Sequence, residues 1–279
     1  MADSNPKLCN GWWGFREMSF AEFCRASAGL RLEYVEVDIR GRSSERHHLN
    51  IVASDDEVRQ CLSEASDAGV TIACATISND FTVDDPAQLR TQLETAKRLA
   101  DVAARCGAGV LRVFAGFTPF ESLTTRTYES CASSLRELGE SCSALGLLVA
   151  LENHGGITAT AAQVGRLLDL ADHPNVRANF DPGNFAYCRE DPLAAWMVLH
   201  DLVGYAHFKD VQVRNGALQY CSLGDGVTDW PPLIEAMLRD DYHGYWAIEY
   251  EEPSDCVQGT ERCLQVLRTA VGRPASVGR

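Results

Sequence analysis

Eight short apolar runs recur along the chain, near residues 7–13, 32–38, 70–76, 109–115, 147–153, 176–181, 203–209 and 244–250. Runs of this length, bounded by Gly, Pro or Asp, predict strands covered on both faces. The stretches 19–28, 55–68, 86–105, 124–145, 160–171, 191–201, 229–239 and 256–270 carry apolar residues at helical spacing instead. Start signals stand where those helices should begin: Ser19, Ser54 with Glu57 three residues on, Asp85 before Pro86, and Asp191 before Pro192. Stop signals follow at Gly69, Gly107 and Gly146.

Strand alternating with helix demands parallel pairing, because a parallel crossover needs a dozen or more residues. No Pro/Gly/Ser-rich linker interrupts the series. The expected fold is therefore α/β, a single-domain (β/α)8 TIM barrel over residues 1–279. A doubly wound open sheet would need a Gly-rich phosphate turn after the first strand, and the chain has none there.

Composition narrows the classes of function. The 279 residues are 46% hydrophobic, enough for a sizeable core, and the net charge of −14 opposes a nucleic-acid partner. The N-terminal sequence MADSNPKLCNGWWGF has neither the basic stretch nor the apolar core of a signal peptide. No window approaches the roughly 18 apolar residues of a membrane span, so a soluble, cytoplasmic protein with no membrane partner is expected. The eleven cysteines are scattered without a CxxC pair, which reads as free thiols.

Candidate chemistry lies in the second half, where four predicted strands end on a hard-metal ligand: Glu152, Asp181, His207 and Glu249. Side chains two apart share a strand face. Glu152 thus pairs with His154, Asn179 with Asp181, His207 with Lys209, and Glu249 with Glu251. In a barrel the C-terminal strand ends form the active-site face, so strands five to eight would deliver three carboxylates and an imidazole to one mouth. That donor set suits one octahedral divalent ion, with Mn²⁺ expected and Mg²⁺ or Co²⁺ as alternatives. Lys209 would offset the negative charge.

Other residues carry a structural and a functional reading together. Asn79 and Asp80 either cap a loop or touch substrate; Trp12 and Trp13 either pack or touch it. Arg112 is a salt-bridge partner or a ligand clamp, and His47 and His48 are expected in a solvated loop. Trp12, Trp13 and Phe15, with Phe114, Phe117 and Phe120, suit a pocket wall or a homo-oligomer interface.

The segments ATISNDF (75–81), GVLRVFAG (109–116), LENHGG (151–156), NFDPGN (179–184), HFKD (207–210) and LGDGVTDW (223–230), with Glu249 in the last strand, resemble the sugar phosphate isomerase/epimerase family of xylose-isomerase-like barrels. The resemblance implies one divalent metal on Glu152, Asp181, His207 and Glu249. It also implies a small keto-sugar substrate and proton abstraction beside a carbonyl, through a cis-enediolate that the ion stabilises. Glu152 and Glu249 would do the acid–base work, His154 and Lys209 would bind or protonate substrate oxygens, and Trp12, Asn79, Arg112 and Asn184 would contact substrate. The expected activity is isomerase or epimerase. Ketose 3-epimerases of this kind carry a histidine where Asn184 stands and an arginine where Val213 stands. Lyases on the same barrel, such as inosose dehydratase, 3-dehydroshikimate dehydratase and enzymes that cleave 3-keto C-glycosides, share the first step and form the alternative. A sugar-binding barrel without turnover is the non-enzymatic one.

Overall fold

The computed structural model describes residues 6–42 and 48–271, with Phe120 lacking a described side chain and His47 lying outside the described residues. Eight parallel strands form one ring: β1 (Lys7–Asn10), β2 (Tyr34–Arg40), β3 (Thr71–Thr76), β4 (Val110–Val113), β5 (Leu148–Glu152), β6 (Val176–Phe180), β7 (Val203–Phe208) and β8 (Tyr245–Ile248). Each pairs with its neighbours in sequence, and β1 pairs with both β8 and β2, which closes the barrel.

Helices α1 (Phe20–Gly29), α2 (Asp55–Ala68), α3 (Pro86–Arg105), α4 (Thr125–Ala144), α5 (Ala161–Ala171), α6 (Pro192–Leu199), α7 (Trp230–Arg239) and α8 (Cys256–Val271) return the chain between strands. The predicted caps act as such. Ser19 and Ser54 close capping boxes with Glu22 and Glu57, and the Asp85 and Asp191 carboxylates accept from Ala87 and Ala194 N–H. At the end of α2, Gly69 takes φ 77°, a left-handed turn that a β-carbon would strain.

The core has two parts. A large outer layer joins the helices to the outward faces of the strands, and a small inner cluster, including Cys9, Cys74, Val110, Ala150, Tyr205 and Ala247, fills the lower barrel. The period-two alternation puts Glu36, Arg112, Glu152, His207 and Glu249 on the same inward faces, one step nearer the C-terminal ends. All eleven cysteines are free thiols, as the spacing predicts. Among the described residues no helix is long and apolar enough to cross a membrane.

Several boundaries differ from the sequence reading. The run 7–13 is not all strand: β1 stops at Asn10, Trp12 turns into αR, and Trp13–Phe15 form a 3-10 turn. The turn passes so close to the end of β8 that a β-carbon at Gly14 would lie 1.9 Å from the Tyr250 carbonyl oxygen, so glycine is required there, and Trp12 and Trp13 line the cavity at the barrel mouth. The second strand begins at Tyr34 rather than 32, after a left-handed turn at Arg31. Between the expected strand 203–209 and helix 229–239, where the periodicity assigns no element, lies an antiparallel hairpin, Asp210–Arg214 with Ala217–Cys221, turning through Asn215 and Gly216, both at positive φ.

Candidate metal centre

Each candidate ligand is placed by a short structural event. Glu152 closes β5, and Asp181 follows β6, where its Oδ1 caps the short helix Pro182–Tyr187 by accepting from Asn184 N–H at 2.9 Å. Asp181 thereby has one oxygen fixed and the other, Oδ2, turned to the site. His207 is the penultimate residue of β7, and Glu249 follows β8, its N–H held by the Phe208 carbonyl at 3.0 Å. Gly183 makes room beneath them, because a β-carbon there would meet the Lys209 side chain at 2.4 Å.

One donor atom from each of Glu152, Asp181, His207 and Glu249 lies within 4.8 Å of all the others, and all four residues are buried. His207 Nδ1 faces Glu249 Oε2 at 3.4 Å, Glu152 Oε1 at 3.6 Å and Asp181 Oδ2 at 3.9 Å. His207 Nδ1, fully buried, makes no hydrogen bond, and Asp181 Oδ2, also fully buried, makes none and meets the Lys209 ammonium at 3.1 Å. Buried polar atoms are rarely left without a hydrogen bond. An orphaned imidazole nitrogen facing three carboxylates fits a divalent cation.

Burial pushes the Glu152 carboxyl up, but Arg112, with Nε at 3.2 Å, and His207 outweigh it and hold the group at about 2. Burial likewise opposes ionisation of Glu249, yet His207 and Lys209 keep it well below the usual carboxylate range. At Asp181 burial prevails over Lys209, and the carboxyl is pushed up to about 7. Burial should also discharge Lys209, but Asp181, Glu249 and Glu251 at 3.1, 2.6 and 2.8 Å hold its ammonium well above its ordinary value. His207 too is raised in spite of burial, by Glu249, Glu36 and Glu152. The site stabilises positive charge at Nδ1, whether it is a proton or a metal ion.

Above the cluster lies a cavity of roughly 350 Å³ into which Glu152, Glu249, His154 and Lys209 all open. Trp12, Trp13, Phe114, Phe117 and Tyr220 supply aromatic wall, and Arg40, Arg112 and Glu251 polar wall. Trp12 is thus both packed and cavity-lining, and Arg112 is both the ion-pair partner of Glu152 and part of the wall. His154 stands exposed at the rim, edge-on to Phe114.

Two residues expected to contact substrate make hydrogen bonds within the protein. Asn79 spends both halves of its amide on the Phe114 backbone, at 2.6 and 3.0 Å, and so fastens two loops together. Asn184 donates to Glu152 Oε1 at 3.0 Å, which makes it an orienter of that carboxylate. His48 is not solvated: it stacks on Phe23 and packs against Trp12, while its Nδ1 accepts from Asp38 N–H.

Sequence reasoning missed Glu36, Asp210 and Arg40. Glu36 is fully buried in the middle of β2 and meets His207 Nε2 at 2.8 Å. Its signal was present, as an acid inside the apolar run YVEVDI. Asp210 gathers Val211, Gly224 and Thr228 N–H groups and the Trp230 indole, and so ties the hairpin to the loop before α7. Arg40 pairs with Asp38 and lies over the Trp12 ring.

Many solved structures share the architecture, among them the two that follow. A xylose isomerase-like TIM barrel protein from Mycobacterium smegmatis, in complex with magnesium, gives a TM-score of 0.75 at 17% identity, covering 98% of this chain and 100% of that one. D-Allulose 3-epimerase from a Methylomonas species gives 0.76 at 16% identity, covering 95% and 99%. At such identities the likeness is one of fold. An inosose dehydratase from Lacticaseibacillus casei is 29% identical over 147 residues, 46% of this chain and 49% of that protein. The chain therefore spans about half the length of the curated relatives it matches. The family model of the xylose isomerase-like TIM barrel matches residues 25–270, and together with the closed eight-stranded ring this shows that the chain belongs to that family.

Proposed function

We propose that this chain is a divalent-metal-dependent enzyme that removes a proton from the carbon beside a carbonyl of a small keto-sugar or keto-cyclitol. The observation that carries the reading is the convergence of Glu152 and Glu249 on the same buried point as His207 Nδ1, with a cavity above them. A divalent ion held by Glu152, Asp181, His207 and Glu249, with Mn²⁺ the expected one, would supply the positive charge that stabilises an oxyanion developing on the substrate. Arg112 and Asn184 hold Glu152, and Lys209 holds Glu249, so each glutamate is ionised and oriented by a different neighbour. One takes the carbon-bound proton; a water held against the other returns a proton to carbon, and the hydroxide left behind takes up the proton of the first, which gives an isomerase or epimerase.

A second reading is favoured by one feature of the wall. Lys209 and Glu251, bonded to each other at 2.8 Å, both line the cavity beside Glu249, where they can hand a proton to a departing hydroxyl. The same first step would then end in elimination, as the name of the inosose dehydratase relative suggests. The discriminating experiment is NMR in D₂O of Mn²⁺-loaded protein, with product read after the metal is removed, across ketoses, inososes and 3-keto-glycosides. Deuterium at the α-carbon with an epimer or isomer supports the first reading, and an unsaturated product the second. No exchange with any keto substrate would sink both.

A further inference from the structure

Glu36 lies at the floor of the site, wholly buried, where the pairing of β2 with β3 slips register between Val35 and Glu36. Such irregularities re-aim side chains. A buried carboxylate is costly unless satisfied, and three donors from two other parts of the barrel meet this one. Oε1 lies 2.8 Å from His207 Nε2 and accepts from the Tyr205 hydroxyl at 3.0 Å, while Oε2 accepts from Trp12 N–H at 3.3 Å. Glu36 is not among the four converging ligands, and the proposed proton transfers do not use it.

The arrangement has a definite chemical consequence. A neutral imidazole carries one N–H, and a carboxylate facing Nε2 keeps it there, so the lone pair falls on Nδ1. Nδ1 is the atom that looks toward Glu152, Asp181 and Glu249 and has no hydrogen bond. We propose that Glu36 is a positioning residue: it fixes the tautomer and ring orientation of His207 so that Nδ1 donates to the divalent ion, and Tyr205 holds the carboxylate in place. The inference rests on the metal reading of the four ligands. Because Oε2 also holds the Trp12 backbone, one carboxylate anchors both the centre and a wall of the cavity.

The test uses the full chain. In ¹⁵N-labelled wild type loaded with Mg²⁺, long-range ¹H–¹⁵N correlation should show His207 protonated at Nε2 only. Titration calorimetry with Mn²⁺ should show Glu36→Gln binding roughly 10- to 100-fold more weakly, the usual effect of losing an outer-shell partner. Glu36→Asp should recover part of the loss, because it keeps the charge. Wild type that binds neither ion would overturn the metal reading itself. Wild type that binds, with an unchanged Kd in Glu36→Gln, would overturn the role of Glu36 alone. A proton on His207 Nδ1 in the Mg²⁺-loaded wild type would do the same without any variant, so a Glu36→Gln protein that fails to fold leaves the question decidable.

Discussion

At Lys209 three carboxylates close on one buried ammonium, and the balance among them sets the behaviour of the metal-free protein. Lys209→Met would leave Asp181, Glu249 and Glu251 facing one another without a counter-charge, and breaking such a buried pairing costs about 3–5 kcal/mol. Urea denaturation in EDTA should show that loss, and Mn²⁺ should restore part of it, since an added cation can replace the missing one. Asp181 gives a pH dependence of definite sign. Its folded-state value of about 7 lies above the ordinary aspartate value of 3.8, so the folded chain binds the extra proton between those limits and metal-free stability falls as pH rises through that window. Glu152, held at about 2, contributes the opposite way: its stabilisation is present above the ordinary carboxylate value and is lost as pH falls toward 2. Metal binding needs Asp181 ionised and His207 Nδ1 free of its proton, so near pH 6, where both groups are protonated, each ion should displace about two protons, which calorimetry in two buffers of different ionisation enthalpy would read. A displacement of none would refute the assignment of both residues. The convergence of Glu152, Asp181, His207 and Glu249 was legible because each is an ionisable group at the end of an apolar run. Glu36 carried the same anomaly in mid-strand, where only the fold shows what it faces. The partners of Asn79 and Asn184 were not legible at all, since Phe114 and Glu152 stand 35 and 32 residues away in the chain.

Among the elements, the hairpin Asp210–Cys221 has the most to do with the site, because it carries Tyr220 over Lys209, with the ammonium 5.2 Å from the ring centre. Its turn was readable in VQVRNGALQY, where Asn-Gly sits between alternating residues. Its anchor was not, because Asp210 reaches Gly224, Thr228 and Trp230, and no short-range pattern specifies that knot. Asp210→Asn would set an amide N–H against donors that now meet a carboxylate. Each hydrogen bond to a charged group contributes about 1.5–3 kcal/mol, so a loss of roughly 3 kcal/mol is expected. Hydrogen exchange should quicken over 211–228 before it does elsewhere. Exchange that quickens uniformly would mean that Asp210 serves the whole fold rather than this element. The eight helices were legible nearly to the residue because their apolar spacing and, in six of them, a capping side chain are local, whereas β1 was overdrawn because Trp12 and Trp13 are apolar for a reason tertiary in origin: they line the cavity at the barrel mouth, and Trp12 packs on His48.

For the whole molecule, the alternation of strand and helix implied eight units, but closure is a property of the ring. It shows only where β1 pairs with both β2 and β8. Glu152, Asp181, His207 and Glu249 come from four successive strands, β5 to β8, and 97 positions separate the first from the last. No single strand–helix unit brings all four donors together, and the unfolded chain holds them far apart. The ion should therefore bind the native barrel and not the unfolded state, so its binding energy adds to folding stability by mass action. At a free Mn²⁺ concentration 100 times Kd that gain is about 2.7 kcal/mol. In a domain near this size each kcal/mol raises the melting temperature by roughly 2–4 °C, so a rise of about 5–10 °C over the EDTA-treated protein is expected. Calorimetry should show it as a shift of one cooperative transition, because the ligands span the closing half of the ring and loosening any one strand dismantles the site. A metal-dependent transition that moves while a second, metal-independent one stays fixed would mean that the two halves of the barrel melt separately, and would refute the single cooperative unit that the shared site requires.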